Sequence, residues 1–192
     1  MKHIALVCLL CLIATAAFAE GPRVSYGPPG DPVNLPDRED VCQYGYVDMQ
    51  PGQGWSLYAG QQLGILCFAP GSISAVGFYV EFVSVPGNLD IVIYDGGTEV
   101  SRTSVTPTTG DNEFDIDDVA IAGDACIMLC PTSFDGVTGE DINSAPYGNC
   151  FWSASCQCSN PFTDNNLTIW AVTGAPVATE QQSWGALRML YR

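Results

Sequence analysis

The chain has 192 residues, with 21 Asp plus Glu against 6 Lys plus Arg and one His, a formal charge of −15. Nucleic acid is a poor partner for such a surface, because binding it relies on Lys and Arg displacing counterions from phosphates. The acidity serves solubility and leaves calcium, cationic surfaces and neutral polymers as partners.

Residues 1–19 read as a cleavable secretory signal peptide: Lys2, an apolar run from Ile4 to Ala14, and the small-x-small site Ala17-Phe18-Ala19. The run is too short for a permanent bilayer anchor, and no later stretch is longer. A secreted or cell-surface product with no stable membrane anchor is expected. Cutting after Ala19 removes the only His (His3) and the only Lys (Lys2), and leaves 173 residues with 5 Arg against 21 acids, a charge of −16. Without His, the Ser-His-Asp and Cys-His mechanisms and His-liganded zinc are excluded; without Lys, Schiff-base chemistry is excluded. The expectation is a protein that is not an enzyme, with no cofactor unless a structural calcium.

In chain order, residues 20–40 are rich in Pro, Gly and Asp and read as a linker or extended arm. A β-sandwich domain is expected over 41–174 and a C-terminal tail over 175–192. A weak strand signal lies near Cys42–Asp48, and a stronger one covers Gln62–Ala69. In Ile73–Ser84, period-two alternation puts Val76, Phe78, Val80 and Phe82 on one face of a half-buried strand. Leu89, Ile91 and Ile93 repeat it, Asp95-Gly96-Gly97 supplies the positive-φ residues of a tight hairpin, and Thr98–Ser104 returns. Further strands are predicted at Asn112–Ile116, Ala125–Cys130 and Leu167–Val172. The pattern predicts an all-β fold, an antiparallel β-sandwich of jelly-roll type.

The run Phe78-Tyr79-Val80-Glu81, followed by Pro86-Gly87-Asn88-Leu89-Asp90-Ile91-Val92-Ile93-Tyr94-Asp95-Gly96-Gly97, resembles the central strands of jelly-roll modules attached to secreted bacterial proteins, including the pre-peptidase C-terminal type. The resemblance covers roughly residues 73–130. It implies an accessory or surface role, since such modules are mostly non-catalytic.

Pro131 to Asn165 reads as a long ordered loop stapled by cysteines, with the aromatics Phe134, Tyr147, Phe151, Trp152 and Phe162. After Gly174-Ala175-Pro176, Thr179–Gln182 can open a helix in which Trp184, Leu187 and Tyr191 share a face and Arg188 and Arg192 sit near the C-terminal end. This basic, amphipathic piece of an acidic protein suggests a tail for assembly or sorting.

Beyond the signal the cysteines are Cys42, Cys67, Cys126, Cys130, Cys150, Cys156 and Cys158. Export favours disulfides over a Cys-only zinc site at Cys126, Cys130, Cys156 and Cys158. On a strand Cys126 and Cys130 lie about 13 Å apart, and Cys156 and Cys158 about 7 Å, both beyond comfortable bridging distance. Bridges must then run between segments. The sequence leaves the connectivity open; the favoured arrangement joins Cys42 to Cys67 and the 126/130 pair to the 150–158 group.

Glu113, Asp115 and Asp117 alternate on one strand, spaced as in the E-x-D-x-E motif of laminarinase-type glycoside hydrolases, which they resemble. That resemblance implies hydrolysis of a carbohydrate by paired carboxylates. With Asp111, Asn112, Asp118 and Asp124 the same acids form an oxygen-rich cluster that suits calcium. Tyr147, Asn149 and Trp152 offer aromatic faces beside a hydrogen-bonding amide, the combination a sugar ring needs. Asn166-Leu167-Thr168 is a glycosylation sequon. Taken together, the residues favour a non-catalytic secreted or cell-surface module, structural, adhesive or glycan-binding. Carbohydrate hydrolysis and an assembly role for the tail are the alternatives.

Overall fold

The computed structural model describes residues 23–25, 33–34, 41–42, 48–141, 150–162 and 166–174. The signal segment, most of the proposed arm, Tyr147, Asn149 and the tail lie outside the described residues. In chain order the strands are β1 (Arg23–Ser25), β2 (Val33–Asn34), β3 (Val41–Cys42), β4 (Asp48–Tyr58), β5 (Gln62–Cys67), β6 (Ser72–Val85), β7 (Leu89–Asp95) and β8 (Thr98–Val105). They continue with β9 (Gly110–Ala120), β10 (Ala125–Pro131), β11 (Asp135–Asp141), β12 (Cys150–Ser153), β13 (Pro161–Phe162), β14 (Asn166–Leu167) and β15 (Ile169–Gly174).

The strands form two antiparallel sheets of a β-sandwich. One sheet runs β13-β12-β5-β10-β7-β8; the other is built on β6, with β9 along one side and β15 and β11 end to end along the other. The chain crosses repeatedly from sheet to sheet, so nearly every pairing is long-range. The predicted hairpin is present: Asp95 pairs with Thr98, and Gly96 and Gly97 between them have φ of 56° and 86°. A two-residue turn needs positive φ at both central positions, which glycine adopts without steric cost.

Period-two alternation drives the core. Trp55 and Leu57 of β4, Val76, Phe78 and Val80 of β6, and Ile169 and Ala171 of β15 face Leu63 and Ile65 of β5, Leu89, Ile91 and Ile93 of β7, and Ile127 and Leu129 of β10. Each large apolar side chain fully removed from water contributes about 1.5–3 kcal/mol. Phe114 of β9 extends the core toward that edge, its ring centroid 5.9 Å from that of Phe78.

The alternation expected across β6 holds only as far as Val80. Val137 pairs with Phe82 but Thr138 pairs with Val80, so Glu81 is an extra residue, a β-bulge that reverses the faces taken by Phe82 and Val83, and a second one at Ser84 returns Val85 to the solvent side. Val83 turns to the core and Phe82 to solvent, 52% exposed. The long loop expected over Pro131–Asn165 is also corrected: it contains β11, β12 and β13, and Phe134 is a fully buried core residue. The stapled part is confined to the link between β12 and β13.

Candidate functional site

The link between β12 and β13 lies against the outer face of the second sheet. Side chains at Cys126, Met128 and Cys130 of β10 alternate with those in the main core and point outward, where they form a small second core with Val92, Leu66, Tyr94 and Phe151. Cys156 and Cys158 close over it through Cys130–Cys156 and Cys126–Cys158, with Cα separations of 5.6 and 6.3 Å. A C-x-x-x-C strand is thus bridged to a C-x-C loop in the arrangement the spacing favoured. Cys42–Cys67, Cα separation 5.8 Å, ties β3 of one sheet to β5 of the other. Cys150 stands outside these bridges, buried against the main core.

Hydrogen bonds fix the loop from beneath. The Ser153 hydroxyl, itself buried, accepts from the backbone N–H of Ser155 and Gln157 at 3.1 and 3.2 Å. Gln62 Oε1 accepts from Cys156 N–H at 3.0 Å, and the Tyr94 hydroxyl donates to the Cys156 carbonyl. Burial pushes the Tyr94 phenol above its ordinary pKa, with Glu99 adding and Arg102 opposing, so the hydroxyl stays protonated as a donor. Trp152 N–H donates to the Asn160 carbonyl at 3.2 Å, and Asn160 Nδ2 donates to the Trp152 carbonyl at 3.3 Å. Cys156 and Asn160 take φ of 52° and 53°, the left-handed region that side chains rarely adopt. Ser155, Gln157 and Asn160 remain exposed on top of this scaffold.

Of the three residues expected to bind sugar, Trp152 is described. It is half-buried on β12 and packs against the main core, which makes it a wall anchor for the loop. Sequence reasoning missed Ser153, Gln62 and Gln157; the S-x-S-x-Q-x-S pattern around Cys156 and Cys158 was the signal for Ser153 and Gln157, and Gln62 on β5 left none.

The acids of β9 occupy a sheet edge. Glu113 lies opposite Gly77 and Asp115 opposite Ala75, both exposed on the outer face. Beyond them Ile116, Asp117 and Asp118 all face the single residue Ser74, where the ladder is irregular, and Asp117 is exposed. Glu113 Oε2 accepts from the indole N–H of Trp170 at 2.8 Å, and the indole crosses the surface that a Gly77 side chain would fill. Beside them, burial raises the Tyr79 phenol pKa, with Glu81 and Asp111 adding to it. Asn112 points the other way, bonded to the backbone of Thr108 and Gly110, and Asp124 Oδ1 accepts from Ala69 N–H at 3.1 Å. Among the described residues no three His, Cys, Asp or Glu side chains converge to hold a metal ion. Thr168 of the sequon is buried.

Arg102 lies on edge strand β8 and donates to both Glu99 oxygens and to Asp90 at 2.8–2.9 Å. The Arg102 hydrogen bonds hold the exposed Glu99 carboxyl below its usual range.

No protein-family model matches the chain, and no curated protein matches it in sequence.

Proposed function

We propose that this chain is a non-catalytic, exported β-sandwich module, structural or adhesive in role, which makes contact with a glycan or other cell-surface component through its stapled loop. One observation carries the reading: residues 154–160 are held over the second sheet by two disulfides and a buried hydroxyl, and they present Ser155, Gln157 and Asn160 to solvent. A loop fixed in advance loses little conformational freedom on binding, which is how polar contacts of modest strength become useful. Three disulfides fit an oxidising compartment, as export requires. The acidic surface supports a neutral or cationic partner, and the resemblance of residues 73–130 to accessory modules of secreted bacterial proteins points the same way.

A glycan and cell-wall polymer array probed with the full chain from Glu20 tests the reading. Binding is expected, with a drop of at least tenfold for Gln157→Ala, since loss of one or two good polar contacts costs on the order of 1.4 kcal/mol or more. An array with no binding, or with binding indifferent to the loop, would overturn it.

A further inference from the structure

The outer face of the first sheet carries a second feature, far from the stapled loop. Register places Phe82, Val137 and Ser56 in one cross-strand row, and Val85, Asp135 and Tyr58 in the next, all on the solvent side. Tyr58, Phe82 and Val85 are 42%, 52% and 49% exposed, three of the five large apolar side chains so exposed among the described residues. The Glu81 bulge is what turns Phe82 outward. At a strand spacing of about 4.8 Å, two strands across and two residues along, the Tyr58 and Phe82 Cα atoms lie about 12 Å apart. Asp135 stands between Tyr58 and Val85, and the described charges elsewhere on this face, Glu81, Asp111, Glu113 and Asp115, are all acidic.

The chain itself contains a segment with the matching chemistry. Residues 179–192, outside the described residues, carry Trp184, Leu187 and Tyr191 at helical spacing with Arg188 and Arg192 alongside. In the helix that this spacing predicts, Trp184 and Tyr191 would stand about 10.5 Å apart, close to the separation of the two exposed aromatics. The two arginines carry the charge opposite to that of Asp135.

Reach decides whose patch is met. β15 ends at Gly174, opposite Ser72, whereas Phe82 lies ten residues further along β6, about 33 Å away. With residues from Thr179 in the helix that their sequence spacing predicts, four extended residues and that helix would carry Trp184 only about 22 Å. We propose that the C-terminal segment 179–192 of one copy docks on the Tyr58–Phe82–Val85 patch of a second copy. The contact is heterologous, head to tail, so it leaves one patch and one tail unused and extends into open chains. It goes beyond the loop-binding function and does not rest on it.

Sedimentation velocity on the full chain from Glu20, across a hundredfold range of concentration, tests the proposal together with three variants. The full chain is expected to associate as concentration rises. Phe82→Ser, Trp184→Ser and deletion of residues 179–192 should each weaken association at least tenfold while leaving circular dichroism unchanged. Mixing the Phe82→Ser chain, which keeps its tail, with the deletion variant, which keeps its patch, should restore pairing but stop at one-to-one complexes. A chain that stays monomeric throughout overturns the proposal. So does association that needs Phe82 but survives the tail deletion, which would mean that patch meets patch, and so does a mixture that fails to pair.

Discussion

The Trp170 indole fills the place where a Gly77 side chain would stand and hands its N–H to Glu113 two strands away. Any Cβ at position 77 meets ring atoms that have a hydrogen-bond partner to lose. Gly77→Ala is expected to lower unfolding free energy by about 1–3 kcal/mol, the usual range for overpacking, read from urea denaturation with tryptophan emission as reporter. An unchanged midpoint would mean that the indole moves aside freely. Arg102 gives a pH-dependent test. Glu99 has its pKa depressed in the fold, so its contribution is present above its unfolded pKa, about 4.3, and disappears as pH falls through the folded value. Arg102→Ala should therefore lower Tm slightly at pH 7, and the gap should narrow as pH falls and Glu99 becomes protonated. A gap of constant size would show that Arg102 acts through packing. At this scale the sequence was readable for Val76, Phe78 and Val80, where strict alternation meets a regular ladder. It misplaced Phe82, because the extra residue at Glu81 is a property of the pairing with β11 and leaves no mark on β6 itself.

Between elements, the two staples of the loop are nested, and this makes their contributions unequal to their sum. Sequence separations of 32 and 26 residues each correspond to about 3.5 kcal/mol of loop-closure entropy taken singly. With one bridge closed, the other encloses only the short rungs 126–130 and 156–158, worth about 2 kcal/mol. Replacing either pair by Ala should cost about 2 kcal/mol, and replacing both about 5–6 kcal/mol. A double replacement that costs only the sum of the two single ones in guanidinium denaturation would contradict the nested geometry. The bridges were partly legible, since strand spacing forbade the near pairs. β4 and β11 were not. Pro51, Gly52 and Gly54 in β4, and Gly136 and Gly139 in β11, read as turn residues. At Gly136 the reason is close approach: a Cβ there would stand 2.6 Å from the Phe82 carbonyl oxygen and against the Phe134 ring. Composition reports the small residue but not the neighbour that requires it.

For the whole molecule, a formal charge of −15 puts acidic groups over much of the surface, with only six Lys and Arg to offset 21 acids. Self-repulsion opposes compaction and is screened within about 10 Å at 0.1 M salt. Raising NaCl from 10 to about 150 mM, where the screening length falls to about 8 Å, should therefore raise Tm. A fall in Tm would mean that attractive pairs such as Arg102 with Glu99 dominate. The sandwich was legible because its strands alternate at period two. The proposed contact surface was less so, because it depends on which loop the disulfides clamp. The central claim is that the chain binds through that loop and performs no chemistry. Co-sedimentation of the full chain with envelope and extracellular polymer from its native source tests this most directly. The account predicts saturable binding, weakened at least tenfold by Gln157→Ala, unaffected by Glu113→Gln, with the polymer recovered intact. Polymer shortened by the native chain and spared by Glu113→Gln would contradict it.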